Sequence, residues 1–296
     1  NAMVGKYGWI RLTERATPRS VPEIQLIDMR GRPPTDLIAT EVQEALQQAF
    51  DRQEQAIVLY NRRGYAPTVE CSGCGAHYTC PSCGVSMVYH RRSQRISCHY
   101  CGFYRNYQRD CPDCGTPLDN IGHGTERVEE DLRLLFPNVS VSRMDADTTS
   151  GRGAHHRILE EFRRGGTQLL VGTQLVAKGH DFPKVTVAAV VGVDHILTLP
   201  DFRSAERTFA LVTQLAGRAG RGDVAGKVLV QTRHPEHFAF QSLNAKDTTE
   251  GSSAFYQQEL RQRGILRYPP SSRLILVKVE GSDRQKARLA ANNLRQ

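Results

Sequence analysis

The sequence lacks any long apolar run. None approaches the roughly 18 residues of a membrane span, and no signal-peptide pattern opens the chain, so a membrane protein is excluded and a cytoplasmic one expected. Low-complexity segments are absent, and so are internal repeats outside one cysteine pattern. The phosphate-cradling G-x-x-x-x-G-K-[ST] loop is missing as well. Its nearest decoy, "GDVAGKV" (222–228), has three spacers instead of four and Val228 where Mg²⁺ needs a hydroxyl. No D-E-x-H follows a strand either.

Of the 296 residues, Lys and Arg number 39 and Asp and Glu 31, a formal net charge of +8. This is compatible with a polyanionic partner without requiring one. Two zinc ions (+4) on eight thiolates (−8) would lower it by 4 to about +4, so motifs must decide.

All eight cysteines fall into C-x-x-C pairs, Cys71/Cys74, Cys80/Cys83, Cys98/Cys101 and Cys111/Cys114, each followed at once by glycine. That is the pattern of a zinc knuckle whose backbone turns through positive φ. A disulfide framework is disfavoured without a secretory signal, and a thioredoxin-like redox pair explains one C-x-x-C but not four. A chaperone-like module fails too, because its repeats extend to C-x-x-C-x-G-x-G, whereas Ala76-His77 and Val85-Ser86 follow the first two glycines.

Fourteen residues separate Cys83 from Cys98, and five separate Cys74 from Cys80. The spacing predicts an inner zinc on Cys80, Cys83, Cys98 and Cys101, with Cys71, Cys74, Cys111 and Cys114 closing an outer one. Four thiolates leave no open position, so both ions read as structural. His77, His90 and His99 are then surplus and are expected at the surface. The residues "HRRSQR" (90–95) with Tyr100, Phe103, Tyr104 and Tyr107 offer cations and stacking faces to nucleic acid or a protein. A solvated loop with aromatics packed around zinc is the alternative.

Outside 71–114, short β-branched runs alternate with amphipathic segments. Strands are expected at 57–60, 139–144, 168–172, 185–193 and 227–232. Helices are expected with Ile38, Val42, Ala45, Leu46 and Ala49 on one face, with Val128, Leu132 and Leu135 inward after a Thr125 cap, with Ile158, Leu159 and Phe162 inward, and over about 204–216. Runs buried on both faces mean a parallel α/β sheet, with the cysteines inserted in a strand-to-helix connection. Asn1-Ala2-Met3 reads as an expression scar, and the chain is expected to be a fragment. Residues 1–30 are assigned to that scar and a linker from a preceding domain, 31–70 and 115–240 to the sheet domain, and 71–114 to the zinc insertion. Residues 241–296, with one strand after "RYPP", are assigned to the truncated start of a C-terminal domain.

Two stretches carry candidate chemistry. "VGTQLVAKGHDFPKV" (171–185) places Thr173, Lys178, Gly179 and Asp181 after a buried strand, at the carboxyl edge where ligands bind. In "QLAGRAGR" (214–221), Gln214, Arg218 and Arg221 stand at i, i+4 and i+7, so a helix end would project all three to one side. Arginine's planar fork suits phosphate charge. Both arginines are expected exposed and unpaired.

These stretches, with "PDFRSAER" (200–207), resemble motifs V and VI of superfamily 2 helicases. "LYNRRGYAP" (59–67) before the knuckles, "GTERVEEDL" (124–132), "RMDADTT" (143–149), "QTRHPEH" (231–237) and "RYPP" extend the resemblance, over essentially the whole chain, to the primosomal protein N′ family of replication-restart helicases. It implies a RecA-like second motor lobe of an ATP- and Mg²⁺-dependent 3′-to-5′ DNA helicase, monomeric, acting on forked or single-stranded DNA with primosome proteins and single-stranded DNA-binding protein. Gln214, Arg218 and Arg221 would then act on the nucleotide with Gly179 and Asp181. Thr173 and the loop with Arg62, Arg63 and Tyr65 would lie near the DNA backbone. The zinc insertion is implied to help duplex separation and partner assembly. Since the cradle is missing, the chain alone is expected to be inactive. A non-catalytic zinc-dependent adaptor binding DNA or protein on an α/β scaffold is the competing reading, but it gives no reason for Gln214, Arg218 and Arg221.

Overall fold

The computed structural model describes residues 5, 8, 10, 22–33, 36–60, 69–71, 73–90, 95–98, 100–119, 125–145, 148–149, 153–177, 182–220, 226–244, 248–275, 277, 279 and 283–294. In chain order its elements are β1 (Glu23–Asp28), α1 (Thr40–Asp51), β2 (Gln55–Tyr60), β3 (Glu70–Cys71), β4 (Val88–His90), β5 (Arg95–Ser97), β6 (Tyr104–Asn106) and β7 (Leu118–Asp119). There follow α2 (Thr125–Leu135), β8 (Val141–Met144), α3 (Ala154–Arg164), β9 (Leu169–Gly172), β10 (Val185–Val191), α4 (Asp194–Leu197) and α5 (Ser204–Ala216). The last are β11 (Lys227–Thr232), α6 (Phe238–Gln241), α7 (Thr248–Ile265) and α8 (Arg284–Asn293).

Six strands form one parallel sheet in the order β1-β11-β10-β2-β9-β8. The period of two along β2 divides the core. Ile57 and Leu59 join the face covered by α3, α5 and α7, while Ala56, Val58 and Tyr60 join the face covered by α1 and α2. Every residue of β2 and β10 is buried, as central parallel strands require. The cysteine module leaves the carboxyl end of β2 and returns to α2. It has its own small core around Tyr78, Met87 and Ile96, built on the β3-β7 pair and the β4-β5-β6 sheet.

Four assignments from the sequence change. Residues 23–28, placed in a linker, pair in register with β11 as the edge strand of the sheet. Residues 248–268, placed in a following domain, pack onto the lobe: Phe255 is fully buried in its core and stacks on Phe209 at 4.1 Å and 3°. The buried stripe of α7 is Gly251, Phe255 and Glu259, with a single large apolar residue, so hydrophobic periodicity cannot see it. No strand forms among the described residues after "RYPP"; Ile275 and Val277 are exposed. Leu135 also points outward, because the inward stripe of α2 continues from Val128 and Leu132 to Phe136, which meets Phe50 edge-on at 5.3 Å.

Candidate metal centre and arginine turn

Each C-x-x-C-G stretch closes on itself through the same two backbone bonds. In the first, Cys71 N–H donates to Ala76 O at 2.8 Å and Gly75 N–H to Cys71 O at 2.9 Å. The other three repeat this at Cys80/Gly84, Cys98/Gly102 and Cys111/Gly115 within 2.8–3.0 Å. The ring turns through the left-handed region, and φ at the four glycines is 78°, 65°, 76° and 74°. There a Cβ would crowd the backbone, hence glycine.

The knuckles combine as the spacing predicts: Cys71, Cys74, Cys111 and Cys114 form one group and Cys80, Cys83, Cys98 and Cys101 the other, with sulfurs within 4.8 Å of one another in each. Cys71–Cys114, Cys74–Cys111 and Cys80–Cys101 sulfurs are 3.4, 3.6 and 3.5 Å apart. That is far beyond a disulfide bond and near the ~3.8 Å edge of a tetrahedron with Zn–S of about 2.3 Å. Burial pushes the Cys74 thiol up to about 12 and raises Cys71, Cys83 and Cys98. A bound divalent cation reverses this preference and makes four clustered thiolates tolerable, so the residues fit two zinc ions.

The module docks at the carboxyl ends of β1 and β11. Gly31 N–H donates to Gly73 O at 3.1 Å, and a Cβ on Gly75 would lie 2.6 Å from Arg233 O. His77, expected at the surface, is instead half-buried edge-on against His234 at 5.2 Å. Burial, with His234 beside it, lowers its pKa to about 4, so the neutral imidazole belongs to the docking face. His90's side chain and His99 lie outside the described residues. Of the four aromatics offered as stacking faces, Tyr100, Phe103 and Tyr104 are exposed, with the Arg95 guanidinium 4.8 Å over the Tyr104 ring, whereas Tyr107 is half-buried in the module and donates its hydroxyl to Leu118 O at 3.0 Å.

The arginine turn lies at the opposite edge of the sheet. α5 stops at Ala216, so Gln214 is on the helix and exposed, whereas Arg218 sits in the turn beyond, its N–H donating to Leu215 O at 2.8 Å. Gly220 N–H donates to Val185 O at 3.0 Å, and a Cβ on Gly226 would lie 2.4 Å from Ala219 C. These contacts fix the turn at the amino ends of β10 and β11, not at the carboxyl edge. Seven residues of β10 at ~3.3 Å each separate it from the zinc docking edge by about 20 Å. Arg218 is half-buried and partnered, not exposed and free, because it lies in the turn that closes against the strands.

Thr173 is buried at the carboxyl end of β9, where its O accepts the Val176 N–H, so it supports the following turn and presents no surface hydroxyl. Arg62, Arg63, Tyr65, Gly179, Asp181 and Arg221 lie outside the described residues. The residues whose role sequence reasoning missed are Arg263, which carries no motif, and Tyr268, which lies in "RYPP" but had no role assigned; they join the module to α5.

Residues 80–105 match the family model of the PriA DNA helicase Cys-rich region, and 121–223 match the helicase conserved C-terminal domain. The replication restart protein PriA of Bacillus subtilis is 41% identical over 99% of this chain and 36% of its own length; that of Synechocystis is 39% identical over 93% and 34%. The chain thus spans about a third of the curated relatives it matches. Among solved structures, RecG bound to a three-way DNA junction aligns at 15% identity with a TM-score of 0.45, over 96% of this chain and 27% of that one.

Proposed function

We propose that this chain, a homologue of about a third of the replication restart protein PriA, is the second motor lobe, with its zinc insertion, of an ATP-dependent 3′-to-5′ DNA helicase that acts at stalled forks in primosome assembly. The carrying observation is the turn after α5. Gln214 and Arg218 are held at the amino edge, where the 173–185 segment also returns into β10. In this reading Gly179 and Asp181 act with Gln214, Arg218 and Arg221 on the triphosphate of ATP, whose hydrolysis supplies the free energy. This chain offers cations but no cradle for the β- and γ-phosphates or Mg²⁺. It is therefore inactive alone and completes a site only against a first lobe.

In this reading Arg62, Arg63 and Tyr65, which follow β2 in the sequence, contact the DNA backbone. DNA, primosome proteins and single-stranded DNA-binding protein are the partners of this reading, and the protein acts in the cytoplasm as a monomer.

The test is Arg221→Ala in the full-length protein. DNA-stimulated ATPase should fall by roughly 10³–10⁵, the range for arginines supplied across an interface, with zinc content and melting temperature unchanged. If stability fell and specific activity survived, Arg221 would be a structural salt-bridge partner. Robust DNA-stimulated turnover by the 296-residue chain alone would also overturn the reading.

A further inference from the structure

We propose that Arg263 is a positioning residue: it ties the inner zinc knuckle and α7 to the first turn of α5, and through that helix sets the arginine turn at the far edge of the sheet. The inference rests on the nucleotide-facing role proposed for that turn, but its physical part stands on geometry alone.

Arg263 is nearly buried, with 12% of its side chain exposed, and four bonds fix it. Nε and Nη2 donate to Glu259 Oε1 at 2.9 and 2.6 Å, Nη2 also to Glu206 Oε2 at 2.6 Å, and Nη1 to Pro269 O at 3.3 Å. Glu259 is on the same helix, but Glu206 is the third residue of α5, 57 positions earlier. The guanidinium lies 5.0 Å over the Phe202 ring, which stacks on Tyr268 at 4.9 Å and 11°. Tyr268 in turn donates its hydroxyl to Cys83 O at 2.7 Å, inside the inner knuckle. Leu266 completes the contact, since a Cβ on Gly84 would lie 2.7 Å from its Cδ1. An unbroken chain of contacts thus runs from a zinc ligand's own carbonyl to the start of α5.

The helix transmits because it is short and stiff. Its 13 residues span about 20 Å from the Glu206 end to Gln214 and the turn. Along it Phe209 packs on the Phe255 and Tyr256 rings of α7, an apolar contact that resists sliding less than a charge-assisted hydrogen bond of fixed direction, here the 2.6 Å bond from Arg263 Nη2 to Glu206 Oε2. Arg263 is held by two carboxylates, so removing Glu206 alone leaves it paired with Glu259 and bonded to Pro269 O. Glu206→Ala therefore cuts the link without stranding a buried charge.

The zinc-loaded chain and the full-length protein are compared as wild type, Glu206→Ala, Arg263→Lys and Tyr268→Phe. Glu160→Ala, which breaks an exposed ion pair on α3, is the control. Amide exchange across 213–220 should accelerate in Glu206→Ala and Arg263→Lys by roughly 5- to 150-fold, the usual span of coupling between sites. Zinc content and exchange in β10 should stay put. In the full-length protein the same variants should raise KM for ATP within that range, and Tyr268→Phe should do so more weakly because it keeps the ring stack. If exchange quickens in α7 but not at 213–220, Arg263 is a local brace and the proposal is overturned, whatever the ATPase does. If wild type itself shows no DNA-stimulated ATPase, the proposed function fails and the exchange result still decides this one.

Discussion

Two of the four cysteine knuckles press their glycine against the rest of the chain and two do not, although all four have the same spacing, the same pair of backbone bonds and nearly the same φ. A Cβ on Gly75 would strike the Arg233 backbone and one on Gly84 would strike Leu266, whereas Gly102 and Gly115 have nothing within 4 Å. Local sequence therefore makes a knuckle, and tertiary contact decides what the knuckle is for. The docked pair divides the work by cluster. The outer site's Gly75 knuckle seats the module on the sheet, and the inner site's Gly84 knuckle receives α7's end. The other pair completes the four sulfurs of each site, and the third knuckle's Tyr100 meets Tyr268 edge-on at 6.2 Å.

Removing the metal erases the comparison altogether. A strong chelator should unfold 70–119, since zinc binding in such modules carries about 10–16 kcal/mol of folding free energy at pH 7. The sheet should survive, because its two cores share no residue with the module's. Purified protein should hold two zinc ions, and about one or none by metal analysis would contradict the eight-thiolate reading. Loss of amide protection throughout β10 on chelation would show that the module and the sheet fold as one.

Substitution at the glycines grades the difference. Gly75→Ala meets both a left-handed φ and immovable backbone, and should destabilise by about 3 kcal/mol or more in denaturant titration of the zinc-loaded protein. Gly84→Ala has the same φ cost, but its neighbour is the end of a leucine that can rotate, so about 2 kcal/mol is expected. Gly102→Ala has the φ cost alone, about 1 kcal/mol. Equal losses at all three positions would mean that the docked contacts contribute nothing.

Acid tests the docking face by itself. His77 and His237, buried near His234, are held down to about 4, below the ordinary 6.5. The native state then binds fewer protons than the unfolded one between those values, so stability is full above about 6.5 and declines as pH falls toward 4. At pH 5.5 each imidazole should cost about 1 kcal/mol, and His77→Gln should flatten that slope by its share. Zinc content measured in parallel separates this from protonation of the thiolates. An unaltered slope in the variant would remove His77 from the docking face.

Much of this was legible in the sequence for local reasons. A zinc knuckle is specified within five residues, and β10, apolar at every position but Thr186, is too apolar for a one-sided strand and had to be a central parallel one. The pairing of first with fourth knuckle and second with third followed from loop length. The placement of α7 did not: its contact stripe is a glycine, one phenylalanine and a glutamate, and Glu259 can be buried only because Arg263 meets it there. Nor did β1, whose membership of the sheet depends on a partner strand 204 residues away.

By itself, then, the sequence determined the parts, namely the metal ligands, their grouping and the parallel sheet, because each is set by short-range spacing or by the period of an apolar run. Only the tertiary structure decided their arrangement. It put the turn at the amino edge and the zinc module at the carboxyl edge, pressed two knuckle glycines against the rest of the chain and two against nothing, half-buried Arg218, and ran a line of contacts from Cys83 to Glu206. Those outcomes depend on which backbones come within van der Waals reach across tens or hundreds of residues, and no local pattern encodes that.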